Sequence, residues 1–514
     1  MSGIRVVPEA TTSPLYRVKG QRSRWHYPDS RLTPEHCEIL RDVNISERGV
    51  AESRYGYAAY NATQLPGGEI GVGLWQGEFA DGSTRQVVVT PTAVYSDDGT
   101  TRTTITGTAL TGGAEDRIRF AFTKDQLILN NAVDAPRTWS GSLVANTAAL
   151  TGIPFTKCTD MMVHQNLLMA VGTTESSILQ PTRIRWCDIN RETYVVDITT
   201  WRSTNRYEIY DGGPAIVGCV DNWGKALIFK KDGMYPGSIV YGVVGSYDFQ
   251  LDKPLRGFSP IAKHSLVARP EFVFGIAREG AFVVRPDMTF ELINLDDTTD
   301  WFATNQSRLL YAQACIREKD HQVRTLMSSA NNSSGHNRVL VWDWETGDVW
   351  WDRPTVAMNF AQRVVVSNAE LDWFVSTTGY LYQGNKSTYT SDAGAGIPWQ
   401  IRMSPNDLGL PGKAKHIISL RTYYKKRTGG QTVVVSAHLD EGRSRRVAST
   451  LTMGAGDTWN PSFKWNSGHS WSQEDARVGD TYVNRIAETI APEWTSSNPA
   501  GIIGYQVEFV PLEG

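Results

Sequence analysis

One phrase recurs through this chain: an apolar strand, a tight polar turn, and a second apolar strand coming back. It appears in GVGLWQGEFA and STRQVVVT around Asp81-Gly82, in DRIRFAFTKDQLILNN around Lys124-Asp125, and in MMVHQNLLMAVG around Gln165-Asn166. It returns in ALIFKKDGMYPG around Asp232-Gly233, EFVFGIAREGAFVV around Glu279-Gly280, NRVLVWDWETGDVWWD around Thr346-Gly347 and LDWFVSTTGYLYQG around Thr378-Gly379. Such short connections need left-handed backbone torsions, which Gly, Asn and Asp accept at little cost. From Gly82 to Gly379 the turns recur at a mean spacing of about 50 residues, the length of a four-stranded propeller blade. A sheet that small is apolar on both faces, so it must stack on neighbours, and only closing the ring covers the last face. The pattern predicts an all-β protein built around a β-propeller of six to eight blades, seven favoured; the competing architectures are a pair of irregular sandwiches or a β-helix.

The flanks read differently. Residues 1–54 mix nine Lys or Arg with seven Asp or Glu and few apolar clusters, as expected of an extended N-terminal arm that orders against something larger. The propeller is expected over 55–390. The run YTSDAGAGIP, Tyr389 to Pro398, is small, polar and glycine-rich and reads as a linker. Beyond it, KHIISLRTYYKK and TVVVSAHLD alternate about a turn at Arg427 to Gly430, and Tyr505, Val507 and Phe509 alternate with Gln506 and Glu508. That pattern predicts a C-terminal β-sandwich over 391–514.

Composition removes several classes of function. Fifty-one basic against 54 acidic side chains in 514 residues leave a formal charge of −3, without the surplus that drives non-specific binding to phosphate backbones. Cys37, Cys158, Cys187, Cys219 and Cys315 form no C-x-x-C pair and read as reduced core thiols. The first 30 residues contain no apolar leader-like stretch, so folding in the cytosol is expected, and the longest uncharged runs are too broken by Gly, Ser and Pro for membrane spans.

Ser96-Asp97-Asp98-Gly99-Thr100 has the look of part of an Asp-box turn, but adjacent carboxylates on a strand point apart, whereas glycoside hydrolysis needs two acids facing across one site. A solvated turn is the expectation. Asp296, Asp297 and Asp300 lack the alternating spacing of a calcium loop and read as loop and cap residues. The nine histidines show no H-x-x-x-H or H-E-x-x-H spacing, and His336, within NNSSGHN, is expected in an exposed loop. Trp342, Trp344, Trp350 and Trp351 surround one hairpin, where they either stack on sugars or bases or fill the wedge between blades; the wedge is favoured. Lys425-Lys426-Arg427 and Arg443, Arg445 and Arg446 form a basic edge that suits an acidic partner or plain solvent. Phosphate-loop, nucleophile-elbow and dinucleotide fingerprints are missing from the sequence. No catalytic, cofactor-binding or metal-ligating residue is therefore assigned, no cofactor is implied, and the chain is expected not to be an enzyme.

Several phrases resemble one family. LILNNAVDAPRTW (Leu127 to Trp139), RIRWCDI (Arg183 to Ile189), DGGPAIVGCVDNWGKALIFKKDGMYPGSI (Asp211 to Ile239), FGIAREGAFVV (Phe274 to Val284) and LVWDWETGDVWWD (Leu340 to Asp352) resemble, in order and hairpin character, the propeller of tail hub proteins of short-tailed bacteriophages. These are also called packaged-DNA stabilisation or nozzle proteins. The closing IIGYQVEFV, Ile502 to Val510, is similar to the last strand of their C-terminal β-domain. The resemblance implies a structural virion protein, assembled in the host cytoplasm, whose homohexameric ring below the portal and adaptor continues or closes the DNA channel. It also implies an outer surface for tail fibres or spikes, and genomic DNA that passes through without sequence-specific contact during ejection. Two alternatives are a propeller glycosidase or lyase acting on bacterial surface polysaccharide, and a cellular peptide-binding propeller scaffold.

Overall fold

The computed structural model describes residues 10–21, 35–45, 50–189, 195–241, 247–293, 301, 303–332, 334–366, 369–384, 386, 388–425, 431–440, 445–453 and 476–512. It is an all-β protein with a β-propeller at its centre. Six blades are each cut from one continuous stretch of chain: 73–104, 119–149, 157–208, 216–251, 267–293 and 313–352, named blades 1 to 6. Blade 7 is composite. Its inner three strands come from 358–384, and its outermost strand is Tyr57–Ala59, which pairs antiparallel with Leu381–Gly384. The seven repeated turns fall one in each blade, and their backbones take the torsions the residues were chosen for: Gly82 φ 77°, Lys124 and Asp125 φ 54° and 56°, Gln165 and Asn166 φ 48° and 64°, Gly347 φ 76°.

Inner strands close the ring. Ile118 N donates to Val72 O (3.0 Å), joining blades 2 and 1. Between blades 1 and 7 the Gln76 side-chain amide imitates a strand: Nε2 donates to Val365 O (3.1 Å) and Oε1 accepts from Val365 N (2.9 Å). Apolar wedges fill the gaps between blades. Trp342 packs on Phe272 and Phe274 between blades 6 and 5, while Trp373 packs with Tyr60 and Leu74 where blade 7 meets blade 1.

The sandwich expected at the C-terminus is there, and it recruits the N-terminal segment. One sheet runs through Ala476–Ala487, Lys415–Lys425, Gly501–Pro511, Ala51–Ser53 and Val43–Ile45, with Thr11–Thr12 and Tyr16–Arg17 also on the strand Gly501–Pro511. The other contains His36–Arg41, Trp399–Met403, Ile490–Ser496, Gln431–Leu439 and Arg445–Met453. Cys37, Leu40, Val43 and Ala51 are buried in the shared core, so His36–Arg41, Val43–Ile45 and Ala51–Ser53 are integral strands where an extended arm was expected. The propeller is thus inserted between two parts of the sandwich. The second sheet also continues into blade 6, because Arg41 pairs in parallel with Trp351, giving a ten-stranded sheet common to both domains. Among the described residues no helix is long and apolar enough to cross a membrane.

Candidate functional site

Residues at the starts of the inner strands form polar bonds from blade to blade. Arg117, fully buried, donates from Nη1 to Tyr311 O and from Nη2 to Asn359 Oδ1 (3.0 Å), and Asn359 Nδ2 donates on to Gly71 O (2.7 Å). Arg119 holds Asp160 (Nε to Oδ1 3.0 Å) and reaches Cys219 O (2.9 Å), while Lys263 Nζ donates to Thr159 O (3.0 Å). Every blade supplies one member or its immediate neighbour, so the network locks the blades to one another. Burial and the neighbouring Arg308 hold the Arg117 guanidinium down at about 10, and burial among these cations keeps His264 and His336 well below the usual imidazole range.

His336 corrects the expectation from sequence. It is fully buried, with Nδ1 on Ser328 Oγ (3.1 Å) and Nε2 on Tyr311 O (3.1 Å), and its backbone exchanges two hydrogen bonds with Met358. The polar NNSSGHN composition hides this, because the imidazole is satisfied by groups from distant turns.

Asp98 is a solvated turn residue, as expected, whereas Asp97 corrects that expectation: it ends the strand Val94–Asp97 and its carboxylate is buried. Asp97 takes Asn61 Nδ2 (2.9 Å), Gly99 N (2.9 Å) and Arg102, and Asp98 caps the N–H groups of Thr100 and Thr101. Asp296, Asp297 and Asp300 lie outside the described residues, as do Lys426, Arg427 and Arg443, and the side chains of Arg445 and Arg446 are not described. Lys425 Nζ pairs with Glu52 (2.7 Å). The tryptophans fill wedges: Trp350 and Trp351 are fully buried on opposite faces of blade 6, Trp342 meets blade 5, and Trp344 lies under Arg269 (4.3 Å to the ring centre). All five cysteines are free and buried.

Two carboxylates come together that the sequence did not single out. Tyr235 Oη reaches both Asp211 Oδ2 (2.5 Å) and Asp232 Oδ2 (2.8 Å), with buried Lys230 on Asp211 Oδ1 (2.5 Å) and Arg256 alongside. Hydrogen bonds from Lys230, Tyr235 and Gly213 outweigh desolvation and hold Asp211 down at about 2, and the cluster pins the Asp211-Gly212-Gly213 loop.

At the seam between propeller and sandwich, Arg54 lies between two buried carboxylates. Nε donates to Asp42 Oδ1 (2.7 Å), while Nη1 and Nη2 form parallel bonds to Asp392 (2.7 and 2.6 Å). Asp392 belongs to the stretch that reads as a linker; in the fold it is buried, pairs with Tyr57 and accepts from Thr355 N (3.2 Å). Two depressions open on this seam. One, of about 500 Å³, is lined by Asn331, Asn332, Asn337, Arg338 and Arg353 among others; the second, of about 370 Å³, is lined by four tyrosines and the Thr388–Gly394 region. They meet at the contact between Tyr57 Oη and Thr355 Oγ1 (3.0 Å).

No family model matches the sequence, and no curated protein matches it. Among solved structures the chain is similar to the WD40 domain of Pan2 from Neurospora crassa, at 10% identity, with a TM-score of 0.39, over 68% of this chain and 100% of that one.

Proposed function

We propose that this chain is a structural assembly protein of a virion: a tail hub or nozzle subunit that packs head-to-tail into a ring beneath the portal and adaptor. The observation that carries this reading is the weld between the domains. A ring-closed propeller shares a ten-stranded sheet with the sandwich, and a buried ion triad bolts the seam. Head-to-tail interfaces close into a ring only when the angle between contact surfaces is fixed, and a two-domain unit without a free hinge fixes it. The sandwich also supplies a surface for a neighbour. Among the described residues Ala476–Ala487 ends its sheet, and it presents Val478, Tyr482 and Ile486 outward at 49, 79 and 62% exposure, the kind of surface that a subunit covers. A chain of charge −3 suits a conduit, since a strongly basic lumen would retain phosphates.

Mass photometry of the purified chain followed by electron microscopy tests the proposal. A closed six-fold ring is expected, and Tyr482→Asp with Ile486→Asp should disperse it to folded monomers. Monomers alone at high concentration, with no association to particles, would refute it.

A further inference from the structure

We propose that the tyrosine-lined depression on the outer edge of blade 7 is a binding site for a neutral oligosaccharide. Two of its lining tyrosines are anchored in a buried aromatic cluster: Tyr382 lies face-on to Phe374 (5.2 Å, 20°), and Tyr57 meets both rings edge-on (4.7 Å to Phe374, 5.3 Å to Tyr382). Tyr380 extends this cluster, 6.3 Å from Tyr382, and Tyr389 lines the opposite side under the Lys386 ammonium (5.5 Å). The wall is set by the hairpin Ser391–Gly396, whose turn residues Ala393 (φ 50°) and Gly394 (φ 92°) both take left-handed torsions.

The chemistry of the lining selects the ligand. Tyr57 Oη is occupied by Thr355 and Val356 N, and Asp392 is turned away into its bond with Arg54. By contrast the hydroxyls of Tyr380, Tyr382, Tyr389, Thr388, Thr390 and Ser391 have no side-chain or backbone partner among the described residues. These hydroxyls, beside the half-buried rings of Tyr380 and Tyr389, match a sugar ring, whose C–H face packs on aromatics and whose own hydroxyls both donate and accept. About 370 Å³ is within the range of small-ligand sites. None of the described residues lining the depression is charged, and Lys386 beside it donates to Gln383 Oε1 (3.4 Å), so the lining itself is neutral and suits an uncharged sugar. A proline-rich segment also docks on aromatics, but it offers only carbonyl acceptors and leaves the acceptor capacity of six hydroxyls unused.

The proposal is independent of ring formation and is tested on the full chain whatever its oligomeric state. Saturation-transfer NMR is run with three neutral trisaccharides, gluco-, manno- and galacto-configured, beside trigalacturonate and a decaproline peptide. Transfer to at least one neutral sugar is expected. Tyr380→Ala with Tyr389→Ala should weaken it by about tenfold or more, and the corresponding Phe pair, which keeps the rings and loses the hydroxyls, should fall between. The melting temperature and far-UV spectrum check folding; if the alanine pair unfolds, the exposed pair Thr388→Val and Thr390→Val takes its place, with a loss of affinity expected. Silence from all three neutral sugars at about 10 mM, binding of trigalacturonate or decaproline alone, or undiminished sugar binding by the folded variants would each overturn the proposal.

Discussion

Arg54 grips Asp392 with two parallel bonds, 2.7 Å from Nη1 to Oδ1 and 2.6 Å from Nη2 to Oδ2, across the seam between propeller and sandwich. Nη1 also donates to Tyr55 O (3.2 Å) and Nε holds Asp42, so one guanidinium serves two buried carboxylates. The excess negative charge is settled unevenly. Asp392 has both oxygens bonded, whereas Asp42 Oδ2 is buried without a partner.

Removing the shared cation should therefore be costly. Arg54→Ala leaves two carboxylates in the seam and is expected to destabilise the chain by about 3–5 kcal/mol, the range for breaking a buried ion pair on one side. Asp42→Asn, which keeps the shape and drops the surplus charge, should be near neutral or stabilising. Urea unfolding followed by tryptophan fluorescence measures both; equal losses in the two variants would show that the seam does not depend on this charge balance.

The same imbalance sets a pH dependence. Burial, opposed by Arg54 and reinforced by Asp352, pushes the Asp42 carboxyl up to about 6 from its ordinary 3.8. Between those values the folded state binds the proton that the unfolded chain releases, so this group favours folding at low pH and costs stability as pH rises through about 6. The stability advantage of Asp42→Asn over the parent should therefore be largest at pH 7 and shrink toward pH 4, as read from paired urea titrations. An advantage that grows on acidification would reverse the assignment.

His264 and His336 act in the opposite sense. Burial, aided by Arg117 and by other nearby cations, depresses both, so below the ordinary value of 6.5 the unfolded chain takes up protons that the folded chain refuses. Stability is then present above 6.5 and lost on acidification, each histidine lowering the folding constant by about tenfold per pH unit. His336→Gln should flatten the acid limb of the stability profile by about one proton even where it lowers stability at pH 8. An unchanged slope would mean that His336 is charged in the fold.

What could be read from the sequence follows from how local the determinants are. Each blade carries its own turn chemistry, so Gln165-Asn166 or Thr346-Gly347 announces a hairpin within a dozen residues, and the spacing of these turns predicted the ring. The pieces that close the fold are not local. Tyr57–Ala59 is three residues long and owes its place to main-chain bonds with a strand more than 300 positions on. Asp392 looked like part of a glycine-rich linker because its partner Arg54 is 338 residues away. The tyrosine depression is local in 380–394 except for its wall of residues 57–59, which reach it only through the closing strand.

That closing strand is also where ring closure can be broken selectively. Tyr60 N donates to Leu381 O (2.8 Å), and the ladder alternates, so Ala58, opposite Gln383, occupies a hydrogen-bonded position. Proline there removes the N–H donor and is tolerated poorly inside a ladder, at a cost of about 3 kcal/mol by analogy with helix interiors. Blade 7 keeps its three inner strands, and the Gln76 clamp still ties its inner strand to blade 1. Ala58→Pro should therefore speed hydrogen exchange in Ala369–Ser376 and Leu381–Gly384 while leaving blades 2 to 4 as protected as in the parent. Exchange rising uniformly around the ring would instead mean that the propeller opens as one cooperative unit. No change in blade 7 would mean that the inner strands alone hold the ring shut.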